Sequence, residues 1–157
     1  MGNGLKFITS ILICLAAGAL GTIFTLSAIP SWYSYLNKPF FSPPNYLFGP
    51  VWSILYFLMG VSLYLVWKKG IRNKKIVYAI KVFAVQLILN AVWSPTFFGL
   101  RNIFLALIII IAMWAAILKT IFVFGKINKM ASYLLYPYIA WVSFATILNF
   151  SVWVLNR

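Results

Sequence analysis

The sequence predicts an all-α integral membrane protein, a five-transmembrane-helix bundle with an ordered first loop rich in proline and aromatic residues. Three observations carry that prediction. Of 157 residues, 64% are hydrophobic and only 8% charged, against roughly 25% charged in a soluble domain. All 13 charges are Lys or Arg, with no Asp, Glu or His, so the chain lacks the mixed-sign surface that keeps a domain in water. Five apolar stretches each reach the roughly 20 residues that cross a bilayer as a helix.

The stretches are residues 5–28, 46–67, 76–98, 103–124 and 131–155, and they make residues 1–157 one membrane domain. The first has Lys6 ahead of an apolar run, as a signal peptide would. Its run exceeds the roughly 7 to 15 residues of a signal core, so it reads as a retained helix. Gly18, Gly21, Thr22 and Thr25 give it a small-residue stripe, where a helix of the same chain or of a second copy can approach closely. On the second span Phe48, Trp52 and Tyr56 share a face at i, i+4 and i+8. On the third, Gln86, Asn90, Trp93 and Phe97 do the same, and the two amides turn that face inward because they need partners in hydrocarbon. The fourth is featureless apart from Trp114, which reads as lipid-facing. Trp141, Ala145 and Asn149 share a face of the fifth. Trp67 and Trp153, at span ends, read as interfacial anchors.

The connections differ in kind. Short turns at Gly70, at residues 99–102 and at residues 125–130 suit antiparallel neighbours. The first connection, residues 27–45, holds Pro30, Pro39, Pro43 and Pro44 with Trp32, Tyr33, Tyr35, Phe40 and Phe41. Prolines stiffen the backbone and the rings are costly to leave in water. Two readings fit: a lid on the bundle mouth, or a segment of the interfacial aromatic belt.

Five spans put Lys6, Lys68, Lys69, Arg72, Lys74, Lys75, Lys81, Lys119, Lys126 and Lys129 toward one side and Lys38, Arg101 and Arg157 toward the other. The positive-inside rule then predicts a cytoplasmic N-terminus with the first loop outside, in a prokaryotic cell membrane. A mitochondrial outer membrane is the alternative. Because the cations sit between apolar runs rather than on a folded aqueous face, they read as topology and lipid contacts, and no nucleic-acid partner is expected.

Composition also excludes chemistry. Without carboxylate or imidazole there is no carboxylate pair, Ser-His-Asp triad or Cys-His dyad. Cys14 stands alone, which removes an intrachain disulfide and leaves no metal site of the usual kinds. Ion-coupled transport through an intramembrane acid is disfavoured. What remains is aromatic rings and amides. From the rise per residue, Asn90, Trp52 and Asn149 fall in the half of the membrane nearer the first loop, with Trp141 near the middle. The three faces can therefore converge on a pocket for a large, flat, mostly apolar ligand, with ring walls and amide handles. Equally, the amides can be interhelical glue contributing about 0.6 kcal/mol each.

Four motifs in order carry a family resemblance: Trp32-Tyr33-x-x-Leu36-x-Lys38-Pro39-x-x-x-Pro43-Pro44; Phe48-Gly49-Pro50-Val51-Trp52-x-x-Leu55-Tyr56; Asn90-x-x-Trp93-Ser94-x-x-Phe97-Phe98; and Pro137-Tyr138-x-x-Trp141-x-x-Phe144-Ala145-x-x-Leu148-Asn149. In this the chain closely resembles the TspO/MBR family, the tryptophan-rich sensory and translocator proteins, also known as the peripheral-type benzodiazepine receptor. The resemblance implies a five-helix bundle, often a homodimer, with a pocket under the first loop for porphyrins such as protoporphyrin IX and haem, for cholesterol in animal members, and for benzodiazepine-site drugs. Positions matching that pocket are Tyr33, Pro44, Phe48, Trp52, Tyr56, Asn90, Trp93, Trp141, Ala145 and Leu148, to which the helical faces add Phe97 and Asn149. Departures are Phe41 where the family usually has Trp, and Phe150 at the Tyr of the animal cholesterol motif, with Arg157 too far on to complete it. Sterol recognition through that motif is therefore not expected.

Three functions follow as expectations. The first is a membrane tetrapyrrole-binding protein, a sensor, carrier or chaperone, with Lys38 or Arg101 near the mouth to meet a propionate. It requires no cofactor, and haem, lacking a His ligand, would be held through Tyr, Lys, Met or Cys or without a metal bond. The second, also implied by the resemblance, is a light- and oxygen-dependent porphyrin-degrading enzyme using Trp52 and Trp141. The third is a structural or partner-binding membrane subunit.

Overall fold

The structure is a computed structural model describing residues 1–157. Six α-helices carry the fold: α1 Asn3–Ala28, α2 Phe48–Trp67, α3 Lys74–Ser94, α4 Ile103–Gly125, α5 Lys129–Tyr133 and α6 Tyr136–Leu155. With their flanking turns they make five rods long and apolar enough to cross a membrane, at Asn3–Ala28, Asn45–Trp67, Lys74–Gly99, Ile103–Gly125 and Lys129–Leu155. Three asparagines start helices by accepting an orphan backbone N–H. Asn73 takes that of Lys75 at 2.9 Å, Asn102 that of Leu105 at 2.9 Å and Asn128 that of Ala131 at 3.2 Å.

Two spans depart from unbroken α-helix, both at proline. Pro95 has no N–H to give, and the ladder widens into a single π turn over Pro95–Gly99 that closes with Leu100 N–H on Pro95 O at 2.9 Å. The fifth span, read as continuous over residues 131–155, is instead divided at Leu134 and Leu135. Pro137 explains the restart, because proline is accommodated in the first turn of a helix and not in its interior.

The helices form an incomplete ring. α1 packs on α2 and on α3, α3 on α4, and α4 on α6, while α5 closes the base against α2; no comparable seam joins α2 to α6. Between α1 and α2 the lower half is tight. A Cβ on Gly60 would lie 2.7 Å from Ile11 Cα, and one on Gly18 would lie 2.5 Å from the Tyr56 ring. Against α3, Ser94 Oγ donates to Gly21 O at 2.9 Å and sits 2.8 Å from Thr25 Oγ1. The small-residue stripe of α1 thus meets α2 and α3 of its own chain.

The first loop caps one end of this ring. Tyr33 is only 3% exposed, and its ring and that of Trp32 pack on Phe97, with centroids 6.3 and 5.8 Å away. Phe41 meets Phe144 at 6.2 Å. A reciprocal pair of bonds latches the loop to the end of α6: Asn37 N–H to Asn156 Oδ1 at 2.9 Å, and Asn156 Nδ2 to Asn37 O at 2.8 Å. Phe40 and Tyr35 point outward, 100% and 88% exposed. The lid reading holds for Trp32, Tyr33 and Phe41, which pack on the bundle, while Phe40 and Tyr35 face outward.

Trp114 corrects an expectation. Rather than facing lipid, it is half-buried against the core and donates from Nε1 to Ser143 Oγ on α6 at 2.8 Å. An indole N–H needs an acceptor in hydrocarbon, and a serine on the neighbouring helix supplies it.

Candidate functional site

Where the backbones of α2 and α6 stand apart, a cavity of about 560 Å³ lies under the loop, inside the roughly 300–1,000 Å³ range of small-molecule sites. α2 contributes Phe48, Trp52 and Tyr56; α3 and its terminal π turn contribute Asn90, Trp93, Ser94, Phe97 and Phe98; α6 contributes Trp141, Ala145, Leu148 and Asn149; and the loop contributes Tyr33. The i, i+4 spacings on α2, α3 and α6 are what aim these side chains at one space. The rings support one another. Trp52 stacks on Tyr56 (5.7 Å, 28°), Trp93 stacks on Phe97 (5.4 Å, 28°), and Phe48 meets Trp141 edge-on (6.4 Å, 72°).

Of the sequence-derived candidates, Tyr33, Phe48, Trp52, Tyr56, Asn90, Trp93, Phe97, Trp141, Ala145, Leu148 and Asn149 line the cavity. Pro44 does not. It is exposed and ends the loop just before the turn Asn45–Leu47, so its place is to aim the chain into α2 rather than to touch a ligand.

Of the two readings of the amides, the glue is the one the hydrogen bonds bear out, because both amides are engaged by protein. Asn90 is 4% exposed; its Oδ1 accepts from Tyr56 Oη and its Nδ2 donates to Tyr138 Oη at 2.7 Å. Tyr138 in turn donates to Gln86 Oε1 at 2.8 Å. This chain of four side chains pins α2, α3 and α6 together beneath the cavity. Asn149, 2% exposed, accepts from Trp93 Nε1 at 3.1 Å and donates to Ile103 O at 3.1 Å. A buried amide without partners costs about 1–3 kcal/mol, so glue and cavity wall are one role here.

The mouth cations are engaged too. Lys38 Nζ donates to Tyr33 O at 2.8 Å and Leu36 O at 3.2 Å, and the Arg101 guanidinium lies 5.9 Å from the Trp32 ring centroid. Neither lines the cavity, so a propionate salt bridge would require them to leave these contacts. Burial pushes the Tyr33 phenol above its ordinary pKa, opposed by a hydrogen bond with Ser42. The wall left for a ligand is therefore apolar, with one unmade bond: Trp141 Nε1 is buried without an acceptor.

Sequence reading overlooked one wall. Leu15, Gly18, Ala19, Thr22, Thr25 and Leu26 of α1 line the cavity as well. The signal for it is the Gly and Thr stripe, which serves as packing surface and cavity wall at once. Thr22, Leu26, Gly49 and Ser53 are both cavity-lining and exposed, so the cavity opens sideways between the upper halves of α1 and α2. The hydroxyls on this rim turn back to their own helices, Thr22 to Gly18 O at 2.9 Å and Ser53 to Gly49 O at 2.8 Å, as a lipid-facing opening demands. Tyr138 was also missed as the hub of the amide chain.

Fold and cavity together define a five-helix membrane protein with an aromatic intrabundle pocket. The profile of the TspO/MBR family matches residues 10–154, and the chain belongs to that family. It is 47% identical to the tryptophan-rich protein TspO of Archaeoglobus fulgidus over 98% of this chain and 99% of that protein. It is 42% identical to the translocator protein of Homo sapiens over 78% of this chain and 73% of that one. With the tryptophan-rich sensory protein of Cereibacter sphaeroides the identity is 35%, over 90% and 87%.

Proposed function

We propose that this protein binds a flat, hydrophobic tetrapyrrole of the protoporphyrin or haem type in the cavity, as a membrane sensor, carrier or chaperone, and that the same space admits benzodiazepine-site-type hydrophobic ligands. The observation that carries the reading is a cavity of about 560 Å³ walled by Trp52, Trp93, Trp141 and Phe48 in a chain with no acid or imidazole. Such a wall has shape and stacking to offer a planar π-system and almost nothing to offer a polar solute. The sideways opening suits a ligand arriving from the bilayer. Placement in a cell membrane with the loop outside accords with ten of the 13 cations lying toward the end away from the cavity.

Titration of the purified protein with metal-free protoporphyrin, read by tryptophan fluorescence, tests this. Saturable quenching is expected, and a Trp52→Phe, Trp141→Phe double variant is expected to lose most of it. Quenching of undiminished depth and affinity in the double variant would place the ligand elsewhere.

A further inference from the structure

At the end of the bundle away from the cavity, the turn between α2 and α3 and the first two turns of α3 form a shallow groove of about 280 Å³, lined by Ile71, Arg72, Lys74, Val77, Tyr78 and Lys81. Lys74, Tyr78 and Lys81 recur at i, i+4 and i+7, one face of the helix. From α4, Lys119 brings its Nζ to 5.7 Å from the Tyr78 ring centroid. Three cations thus line the groove with Tyr78, and a fourth approaches its ring.

Nothing in the chain neutralises them. There is no Asp or Glu, and Lys38 at the opposite end is the one cation whose side chain finds hydrogen-bond acceptors. Charges of one sign repel, and over a cluster about 10 Å long salt with a Debye length of about 8 Å screens that only in part. These also stand at the start of a 21-residue helix, whose dipole end is already positive. An arrangement that repels itself in this way is completed by an anion from outside.

The apolar part of the groove decides what carries the anion. Ile71 and Tyr78 are 63% and 49% exposed beside Val77. Lys81 lies within the apolar span, about 10 Å below Lys74 along the helix axis, so its stem must run up an apolar wall for the ammonium to reach the polar layer. A free phosphate would use the cations and leave that wall bare. We propose that the groove is a site for an anionic phospholipid, the phosphate held by Arg72, Lys74 and Lys81 with an acyl chain along Val77 and Tyr78.

The test is native mass spectrometry of the full chain released from detergent micelles supplied with equimolar phosphatidylglycerol and phosphatidylcholine. Retention of phosphatidylglycerol over phosphatidylcholine is expected for the wild type. An Arg72→Gln, Lys74→Gln, Lys81→Gln variant is expected to bind it about a hundredfold more weakly, and Lys81→Gln alone about fivefold, the size set by losing three cations or one at an anionic surface. A control with Lys68→Gln, Lys126→Gln and Lys129→Gln removes the same charge from the same end and is expected to retain the lipid. Equal loss in the two triple variants, no change in Lys81→Gln, or no preference in the wild type overturns the site. Displacement of the lipid by millimolar inorganic phosphate overturns the acyl-chain part and leaves a free-anion site. An unchanged tryptophan emission spectrum establishes that each variant is folded.

Discussion

α1 and α2 lie antiparallel, Ile11 beside Gly60 and Gly18 beside Tyr56, yet the pair is closed in its lower half and open above. In the lower half Gly60 removes the side chain at the contact and meets the backbone of Ile11, and at the middle of the seam Gly18 meets the Tyr56 ring. In the upper half Gly49 has nothing within 4 Å of where a Cβ would stand, and Phe48, Trp52 and Trp141 wall a cavity instead. Both halves are apolar, so hydrophobicity does not distinguish them. In lipid there is no hydrophobic drive between helices, and close approach depends on small residues and satisfied polar groups. Between α1 and α2, space survives where bulky rings brace each other and Gly49 faces no partner.

Glycine substitution should separate the two halves most sharply. Gly60→Ala puts a methyl 2.7 Å from Ile11 Cα, a backbone atom that cannot swing away, and is expected to cost about 1–3 kcal/mol. Gly49→Ala meets nothing and is expected to be neutral or stabilising by up to about 1 kcal/mol, since alanine is the better helix former. Thermal unfolding in detergent measures both. Equal effects would mean that the two halves of the seam do not differ as the geometry has it.

Next in size is the amide chain that joins α2, α3 and α6 under the cavity. Asn90→Leu leaves Tyr56 Oη without its acceptor and Tyr138 Oη without its donor, for an expected loss of about 1–3 kcal/mol. Gln86→Leu breaks only the last link, to Tyr138, and is expected to cost less. If Asn90→Leu were as stable as the wild type and bound porphyrin as well, Asn90 would be neither glue nor wall.

The sequence made the five spans, the inward faces of α2, α3 and α6, and the stiff loop legible, because each depends on local properties: run length, helical period and proline content. It left open whether Asn90 and Asn149 bond across to other helices, as they do, or await a ligand. That depends on which phenol or indole stands across the gap, and Tyr138 and Trp93 reach those amides only through the packing of separate helices. The cavity wall on α1 was hidden for a similar reason. A stripe of Gly and Thr says that something approaches closely, and only the divergence of α1 from α2 makes its upper end a rim. Trp114 looked idle because its partner, Ser143, is distant in sequence and carries no signal of its own.

A smaller effect is expected at the lid latch. Asn156→Ala removes the acceptor of Asn37 N–H and the donor to Asn37 O, worth about 1 kcal/mol each and less where solvent can substitute. Since Tyr33 and Phe41 still anchor the loop, global stability should scarcely move. Hydrogen exchange should quicken at Asn37 and its neighbours and leave the Gly60 seam unaffected. Quickened exchange along α1 and α2 would mean that loop and seam open as one unit.

The smallest expected effect is that of pH, and its flatness is itself informative. With no Asp, Glu or His, the chain lacks every side chain whose ordinary pKa lies between about 3.9 and 6.5. At the lid, burial holds Tyr33 neutral to higher pH than usual. Its folded pKa is raised, so the stability it lends is fully present below the unfolded value of about 10 and is lost only as pH rises beyond that. Binding of an uncharged apolar probe in the cavity should therefore be constant from about pH 5 to 8, measured by the same tryptophan quenching. A porphyrin bearing propionates can vary over that range through its own ionisation, and the difference between the two probes isolates the ligand's titration from the protein's. A midpoint between pH 5 and 8 for the neutral probe would require a titrating group that neither the walls nor the lid of this cavity contain.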